Sequence, residues 1–430
     1  MKKLLIGATS IWLLVSSSAF AVDGTWNIDA AGNWSLASNW LNSIIADGAG
    51  STANFTFNIT ANRTVTIDTA SRTLGVVNIG DADNTHNYTI AGGSLIFDNT
   101  PNSAHAQLNA LSTSHGDTIS APVTLNSILD ITNSSASILL LSGVVTGTNG
   151  MNINAGTGIV RFTGNNAATY SGGTNINAGS VTMGTSGNGL GTNTVNLGAT
   201  GGSSVSLTTT AALTVPNAIV VAALGGGNTA TLGSSSAAGS GGTNYSGTIT
   251  LNGTAQLTSA STGTGTVTFS NAISGAGGLV KVGTGPVTLS GTGNSFAGGT
   301  LINVGTLIVT KDGGLGTGNV SLTASGVTLT LQSGATNDYI NDNASISIVN
   351  GATANLNYAS ASTDIVNGII LNGVAQTVQG TYGSSTSGAM FQSAFFSGTG
   401  TLTLIPEPAT YMLIGLGALV CAQQFRRKKA

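Results

Sequence analysis

Between residues 22 and 405 no local conformation is sustained for long. Val287-Thr-Leu289, Leu301-Ile-Asn303, Leu307-Ile-Val309, Val320-Ser-Leu322 and Val327-Thr-Leu-Thr-Leu331 alternate apolar with small polar residues, and Gly-Thr-Gly, Gly-Gly-Thr and Ser-Gly strings fall between them. Alternation with period two marks strands, and the glycines mark turns. Strands of three to five residues are too short for a sandwich of ordinary dimensions. No segment shows a capped 3.6-residue period, so helix is expected to be nearly absent. A parallel β-solenoid meets these constraints: the chain turns a corner every few residues, each coil pairs with the next, and glycine takes the unusual corner dihedrals. Val, Ile and Leu then stack inward, while Thr, Ser and Asn line the outside. A stack of antiparallel sheets is the alternative.

The body is also internally repetitive, the signature of a solenoid or array. Tyr170-Ser-Gly-Gly-Thr-Asn-Ile-Asn-Ala-Gly-Ser-Val-Thr-Met183 aligns with Phe296-Ala-Gly-Gly-Thr-Leu-Ile-Asn-Val-Gly-Thr-Leu-Ile-Val309 at an offset of 126, and Val123-Thr-Leu-Asn126 aligns with Ile249-Thr-Leu-Asn252 at the same offset. Leu190-Gly-Thr-Asn-Thr-Val-Asn-Leu197 matches Leu315-Gly-Thr-Gly-Asn-Val-Ser-Leu322 at 125. These alignments place two copies of one unit within a coiled body over 119–330. Gly172-Gly173-Thr174 and Gly298-Gly299-Thr300 are expected to be equivalent corners. At roughly 20 to 25 residues per coil and about 4.8 Å between paired strands, the rod should be about 75 to 90 Å long. Residues 22–118 hold Trp26, Trp34 and Trp40, three of the 4 tryptophans, and read as a cap plus first coils, because a solenoid's end strand must be covered. Stacking of these tryptophans on a sugar is the competing reading. Residues 331–405 read as the last coils and a closing cap containing Tyr382, Met390, Phe391, Phe395 and Phe396.

Charge removes most functions. Charged residues are 6% of the 430, against roughly a quarter in ordinary soluble domains. Residues 22–405 carry 13 Asp and 5 basic residues, a net of 5 − 13 = −8, with Arg63, Arg72, Arg161, Lys281 and Lys311 the only cations. Nucleic-acid binding requires clustered cations and is not expected. Segment 131–310 holds no acid, so no general acid–base pair can be assembled there, and Asp312, Asp338, Asp342 and Asp364 are scattered in sequence. Asp81-Ala-Asp83-Asn84-Thr85-His86 is the densest polar cluster; it reads as a loop rather than a calcium site, since Asp and Asn favour turns and no glutamate closes it. His86, His105 and His115 lack metal-ligand spacing. No catalytic, cofactor or metal residue is assigned, and the chain is expected not to be an enzyme.

The two ends read as addresses. Met1-Lys2-Lys3, the apolar run Leu4 to Val15 and the Ala19-Phe20-Ala21 site form a signal peptide over 1–21, with cleavage after Ala21 by signal peptidase. An uncleaved anchor is the alternative, but the run is shorter than the roughly 20 residues a span needs. At the other end, Pro406-Glu407-Pro408 precedes the apolar stretch Tyr411 to Ala422 and Arg426-Arg427-Lys428-Lys429; basic residues there hold that side in the cytoplasm.

The order over 406–430 resembles the PEP-CTERM sorting signal. The resemblance implies recognition of Pro406, Glu407 and Pro408 by an exosortase, transient inner-membrane anchoring by residues 411–422, and delivery to the cell surface or matrix. Within the body, Ile273-Ser-Gly-Ala-Gly-Gly-Leu-Val-Lys-Val-Gly-Thr-Gly-Pro-Val-Thr-Leu-Ser-Gly291, Asn294-Ser-Phe-Ala-Gly-Gly-Thr300 and Gly305-Thr-Leu-Ile-Val309 resemble the autotransporter-associated β-strand repeat, and Met151-Asn-Ile-Asn154 replaces its Leu-x-Lys in the first copy. That likeness implies a right-handed parallel β-helix. The expected protein is an exported, non-enzymatic surface or matrix β-helix, structural or adhesive, with exopolysaccharide, matrix components or copies of itself as partners. The alternative is a carbohydrate-binding or polysaccharide-degrading β-helix.

Overall fold

The computed structural model describes residues 21–236, 242–260, 266–332, 334–359 and 363–405. Over these the chain winds as an all-β solenoid of about 13 turns, and its helical content is three 3-10 turns, Ala37–Asn39, Leu41–Ser43 and Thr100–Asn102. Very short strands suffice because most pair in parallel with a strand on the coil before and another on the coil after. One ladder stacks Ile131, Ile153, Ile176, Leu197, Val221 and Leu251. A second stacks Val181, Leu207, Leu232, Leu257, Lys281, Ile302 and Leu322. A third stacks Val215, Tyr245, Phe269, Leu289, Val309, Leu331 and Leu356. All of these side chains are buried; each buried Val, Leu, Ile or Phe contributes roughly 1.5 to 3 kcal/mol.

Outside the first ladder, side-chain amides repeat the backbone's logic. Asn78 donates to Asn54 Oδ1 (2.8 Å), Asn109 to Asn78 Oδ1 (3.0 Å) and the Thr132 hydroxyl to Asn109 Oδ1 (2.8 Å). A neighbouring row runs from Asn196 through Asn175 and Asn152 to Asp130, each donor 2.8 Å from its acceptor.

Spacings between paired residues on successive coils range from 20, Thr300 to Val320, to 33, Gly32 to Val65, and reach 42, Ala354 to Phe396, at the C-terminal end. About 13 turns at about 4.8 Å make a rod of roughly 62 Å. It is shorter than the sequence-based length because corner loops and caps consume chain without adding turns.

The duplicated unit is offset around the rod. Gly173 O accepts from Met151 N–H at 3.0 Å and Gly299 O from Leu279 N–H at 2.9 Å, while Thr174 N–H donates to Thr194 O and Thr300 N–H to Asn319 O. The corners therefore share a local bonding pattern. They do not share a side. Thr174 lies on the ladder that continues through Val195, Ile219, Ile249 and Ile273. Thr300 lies on the ladder that descends through Leu279, Ala255, Ala230 and Val205 to Gly179. Five steps along that ladder separate Gly179 from Thr300, and Gly179 is one side beyond Thr174, so the 126-residue offset equals five coils plus one side.

Lys281 occupies an inward position between Leu257 and Ile302. Its ammonium donates to Val282 O (2.9 Å), Gly283 O (2.6 Å) and Val304 O (3.1 Å). These carbonyls sit at a corner where the chain turns through Gly283, and the cation closes it from inside. Burial pulls its pKa down to about 8, because the interior disfavours the charged form.

Two outcomes follow for stability. Gly299 has φ of +80° and a Cβ there would lie 2.7 Å from Asn319 O, so Gly299→Val should destabilise by about 1 to 3 kcal/mol. Thr288→Ser, on a half-buried outward position, should change stability by less than about 0.5 kcal/mol; equal denaturant midpoints for the two variants would contradict this corner geometry. Lys281 makes the second test. Because its native pKa is below the ordinary 10.5, the unfolded chain binds the extra proton between about pH 8 and 10.5, and the native state gains stability as pH rises through that window. Compared with Lys281→Met, the wild type should therefore gain stability from pH 8 to 10.5 and hold a constant difference below pH 7; parallel stability curves across the whole range would refute a depressed pKa.

Candidate functional site

The tryptophans are placed by the need to cover the first coil. Trp26, Trp34 and Trp40 are at most 2% exposed. They pack on one another and on Phe55, with ring centroids 5.1 to 6.3 Å apart, in the tilted and edge-on arrangements favoured by aromatic quadrupoles. Trp34 Nε1 donates to Ala46 O (3.0 Å) and Trp40 Nε1 to Trp34 O (2.8 Å). Sugar stacking needs an open ring face, and none of the three has one. Two of the five body cations fasten this cap: Arg63 pairs with Asp29 at 2.7 Å and Arg72 with Asp47 at 2.6 Å. At the far end, the strand Gly380–Gly383 pairs antiparallel with Thr401–Leu404 over the last coil, and Tyr382 stacks on Phe391 at 4.8 Å.

The carboxylates serve loops. Asp81 is fully buried and accepts from Ile59 N–H (2.9 Å), His86 N–H (3.0 Å), and Thr85 N–H (3.1 Å) and hydroxyl (3.2 Å), so its oxygens pin a turn. Asp117, also buried, accepts from Tyr88 N–H at 2.7 Å, and burial raises its pKa to about 6. Asp312, Asp338, Asp342 and Asp364 are not scattered in space: they converge where successive coils meet. Asp312 accepts from the backbone of Ala335, Thr336 and Asp338, and burial, with the charges of Asp338 and Asp342 adding to it, pushes Asp364 up to about 8. Asp364 is 1% exposed and receives Tyr339 and Ile340 N–H, a scaffold position closed to substrate. Among the described residues, no group of three or more His, Cys, Asp or Glu side chains is placed to hold a metal ion.

Two buried asparagines lie at structurally matching places in the repeats. Asn166 Oδ1 accepts from Val145 N–H (2.9 Å) and its amide donates to Gly189 O (2.7 Å); Asn294 does the same with Ile273 N–H (2.8 Å) and Gly314 O (2.8 Å). Each bridges three consecutive coils. The only trace in sequence is an Asn a few residues before Gly-Gly-Thr in both copies, which this Asn-rich composition conceals.

Two grooves follow one corner of the solenoid. The first, about 580 Å³, passes Ala178, Ser204 and Thr229; the second, about 450 Å³, passes Thr254, Gly278 and Gly299 and reaches Asn319. Each of these residues immediately precedes a strand of the second ladder, and those strands pair in this order, from Gly179 to Val320. The grooves therefore lie end to end along the rod, with no charged side chain in their lining.

The sorting motif Pro406-Glu407-Pro408, the expected span 411–422 and Ala19 lie outside the described residues; Ala21 is the first residue described. Among the described residues no helix is long and apolar enough to cross a membrane. Comparison with curated proteins and with solved structures finds no match. Family models do match: the passenger-associated-transport-repeat at residues 153–183 and 279–309, and the PEP-CTERM protein-sorting motif at 404–428. The two repeat matches have equal length and stand 126 residues apart, and each repeat contains one of the bridging asparagines. The chain is an exported β-solenoid protein of the cell surface that carries two passenger-associated transport repeats and a sorting motif implying processing by an exosortase.

Proposed function

We propose that the chain works as a non-enzymatic structural or adhesive rod of the cell surface or extracellular matrix, with exopolysaccharide, matrix components or further copies of itself as partners. The observation that carries this reading is the continuous stack of coils with a packed cap at each end. Such a stack resists bending because every coil is bonded to both neighbours. Capped ends also discourage uncontrolled growth by edge pairing. Polysaccharide cleavage usually requires two carboxylates flanking a bound sugar. The grooves have none, and the buried Asp117 and Asp364 are committed to backbone N–H groups. On this reading the signal peptide 1–21 is removed on export, the span 411–422 is a transient stop, and the tail is cut after docking at the exosortase.

Deleting residues 406–430 should release the rod into the periplasm or medium, and replacing Pro406-Glu407-Pro408 with three alanines should leave unprocessed precursor in the inner membrane. Both are read by fractionation and by the mass of the mature chain. Wild-type protein should lack about the last 20 to 25 residues; an intact tail ending at Ala430 would mean simple anchoring instead.

A further inference from the structure

We infer that the corner furrow preceding the second ladder is a binding site for a linear, uncharged, polyhydroxylated polymer, a neutral glycan lying parallel to the solenoid axis. The inference rests on the matrix-rod reading and names where that rod would hold its polysaccharide. Seven successive coils contribute one corner residue each, from Ala178 to Asn319. Six steps at about 4.8 Å give a track of roughly 29 Å.

Part of the furrow floor is bare backbone, at Gly278, Gly298 and Gly299 in one groove and at Gly179 in the other. A Cβ on Gly179 would lie 2.7 Å from Gly156 O, and one on Gly298 would lie 2.5 Å from Gly277 C. Glycine here brings successive backbones into contact and leaves the space above them open.

Three observations select the ligand. The track repeats once per coil, which suits a polymer rather than a compact small molecule. Its lining is uncharged, and segment 131–310 contains no acid. Lys281 spends its ammonium on three internal carbonyls, and no cation lines either groove. An anionic polymer thus finds no counter-charge in the lining. Finally, the corner carbonyls already serve the preceding coil: Ser204 O accepts from Gly179 N–H, Thr229 O from Val205 N–H, Gly278 O from Ala255 N–H and Gly299 O from Leu279 N–H. An extended peptide therefore has no free edge to augment. The exposed Thr254 hydroxyl and the NH2 group of Asn319, whose oxygen is held by Ser345 N–H, are the polar contacts offered, and Leu301, 39% exposed, supplies an apolar one.

The test uses exported protein purified from cells, with linear neutral glucan oligomers of increasing length as the probe. Affinity should climb with length until the oligomer fills roughly 29 Å of track and then level off, while a polyuronate of the same length should not bind. Thr254→Arg combined with Leu301→Arg, both at exposed positions of the lining, should weaken glucan binding at least tenfold at unchanged melting temperature. Ser270→Arg, exposed on another side, should leave it unchanged. Absent or length-independent glucan binding by the wild type, competition by an extended peptide, or undiminished binding by the double variant would overturn the assignment. The length series needs no variant and so stands even if the double variant fails to fold. A rod that stays at the surface without binding glucan removes the furrow site and leaves the matrix-rod reading intact; glucan binding by a rod absent from the surface does the reverse.

Discussion

The parallel hydrogen-bond ladder between coils is the interaction on which the rest of this structure depends. It places residue over residue, so an inward side chain always stacks on another inward side chain, as in the run from Val181 through Leu207 and Leu232 to Leu257. A slip of one residue would turn a whole strand's apolar set outward. Strands of three residues hold too few backbone bonds to prevent slips unaided. Register is reinforced at points where one side chain grips several coils: the amide rows outside the first ladder, and Asn166 and Asn294 at buried corners. Buried amides are costly unless satisfied, and these satisfy carbonyl and N–H groups that the corners would otherwise leave bare. The polar residues of the body are thus much of what makes so short a strand specific.

Scarcity of charge follows from the same geometry. Where each coil repeats the last, a charged residue on one row stands about 4.8 Å from its counterpart on the next, and like charges so placed repel. Amides and hydroxyls stack with attraction instead, each donating to the one before. Ion pairs are accordingly concentrated at the N-terminal end, where Arg63 and Arg72 tie cap to coil and no periodic row is required. Lys281 satisfies the same rule in another way, by turning inward and spending its donors on carbonyls of the corner it closes.

The strand periodicity was legible in sequence because it is local. Val287–Leu289 and Val320–Leu322 stand where the alternation placed them, and an aromatic cap over the first coil follows from the need to cover a strand edge. What escaped was set by coil length. The side on which a residue falls depends on the summed lengths of all intervening corners, and coil spacings vary by 13 residues (33 − 20) even before the C-terminal end. Two segments with matching sequence, at Thr174 and Thr300, thus occupy different sides, and aspartates spread from 312 to 364 meet at one place. The furrow was hidden for the same reason. Its lining residues, one per coil, are ordinary Ser, Thr, Gly and Asn, and only the register makes them neighbours.

That displacement of the repeat says what kind of unit it is. If the passenger-associated repeat encoded a particular face, its two copies would have to recur at whole numbers of coils. They recur at five coils plus one side and still form the same hydrogen bonds at their Gly-Gly-Thr corners. Each side of the solenoid offers the same environment, an inward apolar column and a coil above and below, so a strand–glycine–strand segment fits whichever side the chain has reached. The repeat is therefore a rule for turning a corner and resuming a ladder. A binding face must come from features that the repeat leaves free, such as the uncharged corner running from Ala178 to Asn319, which only part of each repeat borders.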